Sequence, residues 1–159
     1  MSTPIKTHQI RRVAVLGSGV MGSAIACHLA QTGSEVLLLD LPSTEVPRNS
    51  PAEGALKASL KSKPAPLYSK RFVKRIECGN FDDDLSRIAE CDWIIEVIVE
   101  RLDIKQQLFE RVEKYRKPGT LITSNTSGIP ISQLSEGRSE DFQKHFCGTH
   151  FFNPPRYLQ

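Results

Sequence analysis

The chain has 159 residues, of which 39% are hydrophobic and 25% are charged, proportions typical of a soluble globular protein with one substantial core. Its net charge of +3 is too small to indicate nucleic-acid binding, and no segment approaches the roughly 20 apolar residues that span a bilayer. We therefore predict one domain over residues 1–159 that does not bind nucleic acid and does not span a membrane. The first residues lack the apolar core of a secretion signal, so the default prediction is a cytoplasmic protein.

Apolar stretches of strand length alternate along the chain with stretches of helical periodicity. Strands are predicted at residues 13–16, 36–39, 93–99, 121–123 and 146–149, with a weaker strand at 75–78. Helices are predicted at residues 21–31, near 51–63, at 82–90 and at 102–117, with a shorter helical piece before residue 75. This alternation is typical of an α/β fold, a doubly wound, mostly parallel sheet with helices on both faces.

A glycine pattern joins the first predicted strand to the first predicted helix. The spacing Gly-x-Gly-x-x-Gly in this position is typical of a Rossmann-like fold, because it places a dinucleotide pyrophosphate at the helix N-terminus. A structural turn of similar composition is the alternative. The predicted cofactor-binding residues are Gly17, Ser18, Gly19, Val20, Met21 and Gly22.

Asp40 ends the second predicted strand, eighteen residues after Gly22. A carboxylate there accepts hydrogen bonds from the adenosine ribose hydroxyls and repels a 2′-phosphate. The segment Leu41-Pro42-Ser43 has no arginine to bind such a phosphate. We therefore predict NAD, not NADP, as the cofactor.

Polar residues follow two further predicted strands, where open parallel sheets bind ligands. Residues 124–128 read Ser-Asn-Thr-Ser-Gly after one strand, and Glu100 and Lys105 follow another. On spacing alone, residues 124–128 are interpreted as a polar loop without a binding role. Glu100 is interpreted as a helix cap and Lys105 as a surface residue.

His150 differs from the other three histidines, His8, His28 and His145, for which structural roles are predicted. It ends the last predicted strand, and Asn153-Pro154-Pro155 forces a turn just beyond it. Imidazole suits proton transfer near neutral pH, so a catalytic role and a structural role are both open on the sequence alone.

Two further features of the sequence bear on metal and anion binding. The four cysteines have no zinc-site spacing, so we predict reduced, mostly buried thiols and no metal site. Residues 57–75 hold seven lysines and arginines and no acid, which fits either a polyanionic ligand or a solvated helix face.

Taken together, these motifs resemble the 3-hydroxyacyl-CoA dehydrogenases of fatty-acid β-oxidation over nearly the whole chain. Residues 13–40 resemble the NAD fingerprint of that family, residues 93–100 its fourth strand, and residues 124–127 and 150–154 its two active-site signatures. Residues 61–66, 136–142 and 155–158 are similar to the long bacterial members, in which the dehydrogenase is fused to a crotonase-like (enoyl-CoA hydratase-like) C-terminal region.

The resemblance implies roles for particular residues. His150 would be the general base that takes the hydroxyl proton of an (S)-3-hydroxyacyl-CoA while hydride passes to NAD, which yields a 3-oxoacyl-CoA. Ser127 would hold the substrate oxygen beside the cofactor, and Asn153 would position both. Glu100 and Lys105 would contact the nicotinamide end, in place of the roles that spacing alone suggests.

The substrate's CoA part is also implied by the resemblance. Ser59 would lie near the CoA. Where the family often has a CoA-binding lysine, this chain has Pro66, so Lys61 or Lys63 is expected to replace it.

Two parts of the family pattern are expected beyond Gln159: a glutamate that orients the histidine, and a helical domain that closes over the acyl chain and mediates oligomerisation. The chain is therefore interpreted as an N-terminal fragment that binds NAD but is nearly inactive alone. An NAD-dependent dehydrogenase of hydroxy acids or sugar acids remains an alternative, as does a non-catalytic module that senses NAD(H).

Overall fold

A computed structural model describes residues 9–157 as six strands with helices on both faces. The strands are β1 Arg12–Leu16, β2 Glu35–Asp40, β3 Ile76–Asn80, β4 Trp93–Glu96, β5 Leu121–Ser124 and β6 Phe146–Gly148. The α-helices are α1 Val20–Thr32, α2 Ser50–Ser59, α3 Leu102–Tyr115, α4 Ile131–Leu134 and α5 Glu140–Lys144. Two 3₁₀ helices lie at Lys70–Arg75 and Leu85–Glu90.

The strands form one sheet in the order β3-β2-β1-β4-β5-β6. Within the described residues every pair of neighbouring strands is parallel. β1 is central and pairs on one side with β2 and on the other with β4, so that Val13 lies between Val36 and Trp93. The prediction of a doubly wound α/β fold is confirmed, and the direction of chain progression reverses between β1 and β4.

The core has two layers because side chains alternate along each strand. Val13 and Val15 of β1 pack with α1 and α2 on one face, whereas Ala14 and Leu16 pack with α3 on the other. All four side chains are fully buried. A central strand covered on both faces is therefore apolar from Val13 to Leu16, after the partly exposed Arg12 that begins it.

Helix α1 begins and ends within one residue of its predicted bounds. Gly33 takes a left-handed conformation (φ 114°) after its last turn, which fits the predicted glycine cap. Helix α2 ends at Ser59 and not near residue 63, because the next amides bond three residues back, Lys61 N to Ala58 O (3.1 Å) and Ser62 N to Ser59 O (2.9 Å). Such tightening often ends a helix.

Two other predicted elements are shorter than expected. β4 stops at Glu96 because the Ile98 amide donates to the Glu96 side chain (2.7 Å) and not to a neighbouring strand. The predicted helix at 82–90 begins only at Leu85, since the Asn80 side chain accepts from the amides of Asp82 and Asp83 and holds a turn there.

All four cysteines are free thiols, as predicted. Cys27 and Cys91 are buried, Cys78 is partly buried and Cys147 is exposed. Burial is the main cause that raises the pKa of Cys27, Cys78 and Cys91 to about 11, so these three thiols are poor nucleophiles. Of the helices in residues 9–157, none is both long and apolar enough to cross a membrane. The same residues hold no cluster of side chains suited to a metal ion.

Candidate functional site at the carboxyl edge of the sheet

The predicted site residues come from successive strand ends. His150 follows β6, Ser127 follows β5 and Glu100 follows β4. Residues 17–22, here called the glycine loop, follow β1, and Asp40 ends β2. Parallel strands bring these ends to one edge of the sheet, in that spatial order. The row is four strand spacings wide, about 19 Å. It crosses the point between β1 and β4 where open α/β sheets bind ligands.

The turn from β1 to α1 requires glycine at two positions. Gly17 has φ 106°, and a Cβ there would lie 2.6 Å from the Val97 carbonyl oxygen. A Cβ on Gly22 would lie 1.8 Å from the Gly17 carbonyl oxygen. Because both residues are glycines and lack a side chain, the chain can turn tightly and place the start of α1 directly above the end of β1.

Gly19 has a different role, because a Cβ there would contact nothing within 4 Å. It precedes α1, whose N-terminus no side chain of the described residues caps. The first N–H groups of a helix lack intrahelical partners and carry positive partial charge. An open approach to uncapped amides fits the pyrophosphate of a dinucleotide.

Asp40 is already engaged with the glycine loop. One carboxylate oxygen accepts from the Ser18 amide (2.7 Å) and from the Ser18 hydroxyl, and the other accepts from the Leu41 amide (2.7 Å). The side chain is half-buried. Asp40 therefore ties the loop to the end of β2 and also presents a carboxylate where an adenosine ribose would lie.

A cavity of about 450 Å³ adjoins the glycine loop. Its walls include Ser18, Gly19 and Val20 of the glycine loop. Ser59 and Lys63, near the end of α2, also line it, as do Asn153 and Arg156 in the last segment, residues 149–157. Ser59 and Lys63, two of the three predicted CoA contacts, thus face one cavity with Asn153. Lys61, the third, is exposed and does not line it.

Glu100 and Lys105 form an ion pair (3.2 Å). Lys105 is only 1% exposed, so the surface location suggested by spacing is wrong. Arg101, not Glu100, occupies the N-cap position of α3, and no side chain of the described residues caps this helix, so the capping interpretation is wrong as well. The nicotinamide contacts implied by the resemblance remain predictions.

The contacts of Glu100 stabilise the ionised form of its carboxyl group and so lower its pKa. Partial burial acts to raise this pKa, but hydrogen bonds from Thr126 and Gly128 and the ion pair with Lys105 outweigh it and lower the pKa to about 2. Glu100 is therefore a carboxylate at any physiological pH.

The segment that carries His150 is fixed to the loop after β5. The Thr149 amide donates to the Ser124 carbonyl (3.0 Å), and the Phe151 amide donates to Asn125 Oδ1 (2.8 Å). His150 itself is exposed, and its ring lies edge-on to Phe152 with centroids 5.3 Å apart. The imidazole is therefore accessible at the sheet edge, while the backbone on both sides of it is held.

Other histidines occupy structural positions, as predicted. His28 in α1 packs edge-on against Phe151, and His145 Nδ1 lies 2.7 Å from the Asp141 carbonyl oxygen. His8 lies outside the described residues.

Sequence reasoning missed three residues of this region: Glu96, Asn125 and Arg156. Glu96 is fully buried and pairs with Lys105. Arg156 donates to the Ala65 carbonyl (2.8 Å) and stacks on Tyr68, which joins the last segment to the cavity wall. An acid inside the apolar run Trp-Ile-Ile-Glu was a usable signal for Glu96. Asn125 lies within the active-site signature 124–127, but nothing in the sequence indicates its bond to the Phe151 amide, and Arg156 has no comparable signal.

Comparison with known proteins decides the family. The family model described as 3-hydroxyacyl-CoA dehydrogenase, NAD binding domain, matches residues 12–159. The chain belongs to this family. The resemblance stated from the motifs is thereby confirmed, and NAD is the cofactor.

Relatives in this family are longer than the chain. It is 48% identical to a probable 3-hydroxyacyl-CoA dehydrogenase of Bacillus subtilis, over 94% of the chain and 21% of that protein. It is 49% identical to a protein of the same description from Deinococcus radiodurans, over 94% of the chain and 44% of that protein. The chain thus spans between a fifth and a half of the length of these two relatives.

The fold matches solved structures of the family. A crystal structure of 3-hydroxybutyryl-CoA dehydrogenase from Escherichia coli superposes with a TM-score of 0.76 at 32% identity, over 94% of this chain and 31% of that chain. The glycine loop, the uncapped start of α1 and Asp40 remain the predicted NAD contacts of this NAD-binding domain.

Asp40→Ser should weaken NAD binding and relax discrimination against NADP. The change removes both the ribose acceptor and the negative charge that repels a 2′-phosphate. Affinity for NAD should fall about tenfold, and the ratio of NAD to NADP affinity should fall by more than that. Calorimetric titration with each dinucleotide measures both. An unchanged ratio would mean that the carboxylate only supports the Ser18 turn.

Proposed function

We propose that this chain is the NAD-binding part of a longer cytoplasmic enzyme that oxidises (S)-3-hydroxyacyl-CoA to 3-oxoacyl-CoA in fatty-acid β-oxidation. The observation that carries the proposal is the spatial row at the sheet edge, in which His150, Ser127 and Glu100 follow three adjacent strands beside the glycine loop. An accessible imidazole at the same sheet edge as a dinucleotide site suits alcohol oxidation, in which a base takes the hydroxyl proton while hydride passes to the cofactor.

His150 is the general base in this proposal. Its imidazole takes the proton of the 3-hydroxyl group, because imidazole accepts protons readily near neutral pH. NAD, when bound, supplies the hydride acceptor. Ser127 holds the substrate oxygen on the β5 side, and Asn153 orients substrate and cofactor from the cavity that it shares with the glycine loop.

The cavity supports a CoA thioester as the substrate. Ser59 and Lys63 line it together with Asn153, so a polar and a cationic group lie on the same cavity as a predicted active-site residue. CoA carries several phosphate charges, and Lys63 offers a partner for one of them. Lys61 is close in sequence but exposed, and it is assigned the outer phosphates of the same ligand.

We further propose that a helical C-terminal domain supplies the acid partner of His150, the second wall of the acyl pocket and the oligomer interface. The lengths of the relatives support this division. Within residues 9–157, the His150 ring is exposed and packs edge-on against Phe152. The chain alone is therefore expected to bind NAD at micromolar to millimolar concentration with negligible turnover.

The decisive assay compares substrates in the longer protein. (S)-3-hydroxybutyryl-CoA should yield NADH rapidly, whereas its (R) enantiomer and free 3-hydroxybutyrate should be oxidised at least about a hundredfold more slowly in kcat/KM, since each loses contacts made in the transition state. Faster oxidation of the free acid would instead identify a hydroxy-acid dehydrogenase. NAD binding without any turnover would support a non-catalytic NAD(H) sensor.

A further inference from the structure

A buried polar network lies behind the row of site residues. Glu96 at the end of β4, Ser124 at the end of β5 and Lys105 in α3 are 0%, 0% and 1% exposed. Charged side chains are seldom buried so completely unless they are paired. The buried polar atoms of this network therefore require hydrogen-bond partners within the protein.

Glu96 is its centre. One oxygen, Oε1, accepts from Lys105 Nζ (2.6 Å) and from the Ile98 amide (2.7 Å). The other oxygen accepts from the Ser124 hydroxyl. Glu96 thus joins the ends of β4 and β5 to the first turns of α3.

Lys105 carries the connection toward the surface. Its ammonium group contacts the Ile98 carbonyl (3.3 Å) and Glu100 Oε2 (3.2 Å) in addition to Glu96. Three partners match the three donors of an ammonium group. Lys105 has no donor left for a ligand in this arrangement, so its effect on the site passes through Glu100.

Glu100 in turn holds the loop that carries Ser127. Its second oxygen, Oε1, accepts from the Thr126 hydroxyl and from the amides of Ser127 and Gly128, both at 3.1 Å. The carboxylate is thereby fixed from two sides, by Lys105 on one oxygen and by the loop on the other. A continuous set of contacts runs from Glu96 to the backbone of Ser127.

The strand order indicates which half of the dinucleotide lies next to this network. Asp40 on β2 takes the adenosine ribose, and the pyrophosphate lies at the glycine loop after β1. The nicotinamide half then extends over β4 and β5, where Glu100 and Ser127 lie. Buried ion pairs contribute little to stability compared with apolar side chains of the same size, which favours a positional role for this one.

We propose that Glu96 is a positioning residue for the nicotinamide half of the NAD site, acting through Lys105 on Glu100 and on the loop 126–128. This inference rests on the proposed function and on the contact between Glu100 and the nicotinamide half that the family resemblance implies. Outer residues that orient ligand-contacting groups commonly affect binding without touching the ligand.

The test uses two probes on the 159-residue chain. NAD occupies both halves of the site, whereas ADP occupies only the adenosine half. The variant is the double substitution Glu96→Gln with Lys105→Met, which removes both charges together and avoids a lone buried ion. Calorimetry should show NAD affinity about tenfold lower and ADP affinity within about twofold of the unchanged chain.

Ser124→Ala is the second variant, because it removes the hydroxyl that donates to Glu96 and accepts from the Thr126 amide (3.3 Å), while both buried charges stay in place. It should show the same division between the probes with a smaller loss, and the amide resonances of Ser127 and Gly128 should shift. Asp103→Asn is the matched control: it disrupts the exposed Arg101–Asp103 pair at the same end of α3 and should alter neither affinity.

The outcomes separate the two ideas. Equal loss of NAD and ADP affinity in folded variants, or no loss of either, would overturn the positioning role. Glu100→Gln tests the contact on which the role rests. If Glu100→Gln weakens NAD binding while both network variants leave it unchanged, the contact stands and the positioning inference fails. If Glu100→Gln leaves NAD binding unchanged, the proposed contact itself fails, and the positioning inference fails with it.

Discussion

Gly19→Ala is expected to leave the fold intact and to weaken NAD binding by about a hundredfold or more, equivalent to about 2.7 kcal/mol. A Cβ at this position meets nothing in the protein, so the unbound chain gains no clash. The methyl group would instead occupy the open approach to the start of α1, where the pyrophosphate must come close to backbone amides. Thermal unfolding and calorimetric titration with NAD measure the two effects separately.

Gly22→Ala should do the opposite and damage the fold itself. Its Cβ would overlap the Gly17 carbonyl oxygen at 1.8 Å, a clash that we expect to cost about 3 kcal/mol even after the better helix propensity of alanine. Gly54→Ala in α2, where a Cβ also meets nothing, is the control and should preserve both stability and NAD affinity. Equal effects of the Gly19 and Gly22 changes would refute the distinction between the binding glycine and the packing glycine.

His150→Ala in the longer protein is expected to lower kcat by a factor of about 10² to 10⁴. NAD affinity should stay the same, because β6 is three strands away from the glycine loop after β1. The measurement is the initial rate of NADH formation from (S)-3-hydroxybutyryl-CoA, with NAD affinity determined in parallel.

His145→Ala supplies the control within the same strand. His145 immediately precedes β6, so it lies at the opposite end of that strand from His150, and its ring contacts the Asp141 backbone. Its loss should leave the rate nearly unchanged. Turnover that survives the His150 change would point to another base and would remove the main support for the proposed mechanism.

The sequence predicted those features that depend on local chemistry. The glycine spacing, the acid at the end of β2 and the apolar strands are each visible within a few residues, and the structure places them as expected. The segment between Leu41 and Asn80 was the least predictable, because five prolines interrupt its periodicity and its helices are short. Element ends there depend on individual hydrogen bonds.

Lys105 shows why the rest of the site was harder to predict. Lysine is normally exposed, so a lysine on a charged helix is assigned to the surface. Yet it shares the spacing of Leu108, Phe109 and Val112, which are all buried, and that spacing was an available signal. Its partner Glu96 lies on a strand nine residues earlier, and only the packing of α3 on the sheet shows that the two charges meet.

The central strand β1 lies at the boundary between two parts of the sheet that carry different proposed roles. Residues 12–80 form the side of the sheet that carries the proposed dinucleotide contacts, the glycine loop and Asp40, and residues 93–157 form the side that carries the proposed base and the buried network around Glu96. Each half is one continuous stretch of chain, and the sheet joins them through the pairing of β1 with β4. An exchange of segments between relatives near residue 90 would keep the glycine loop with Asp40 and would keep His150 with the loop after β5, but it would divide the cavity that Ser59 and Asn153 line together.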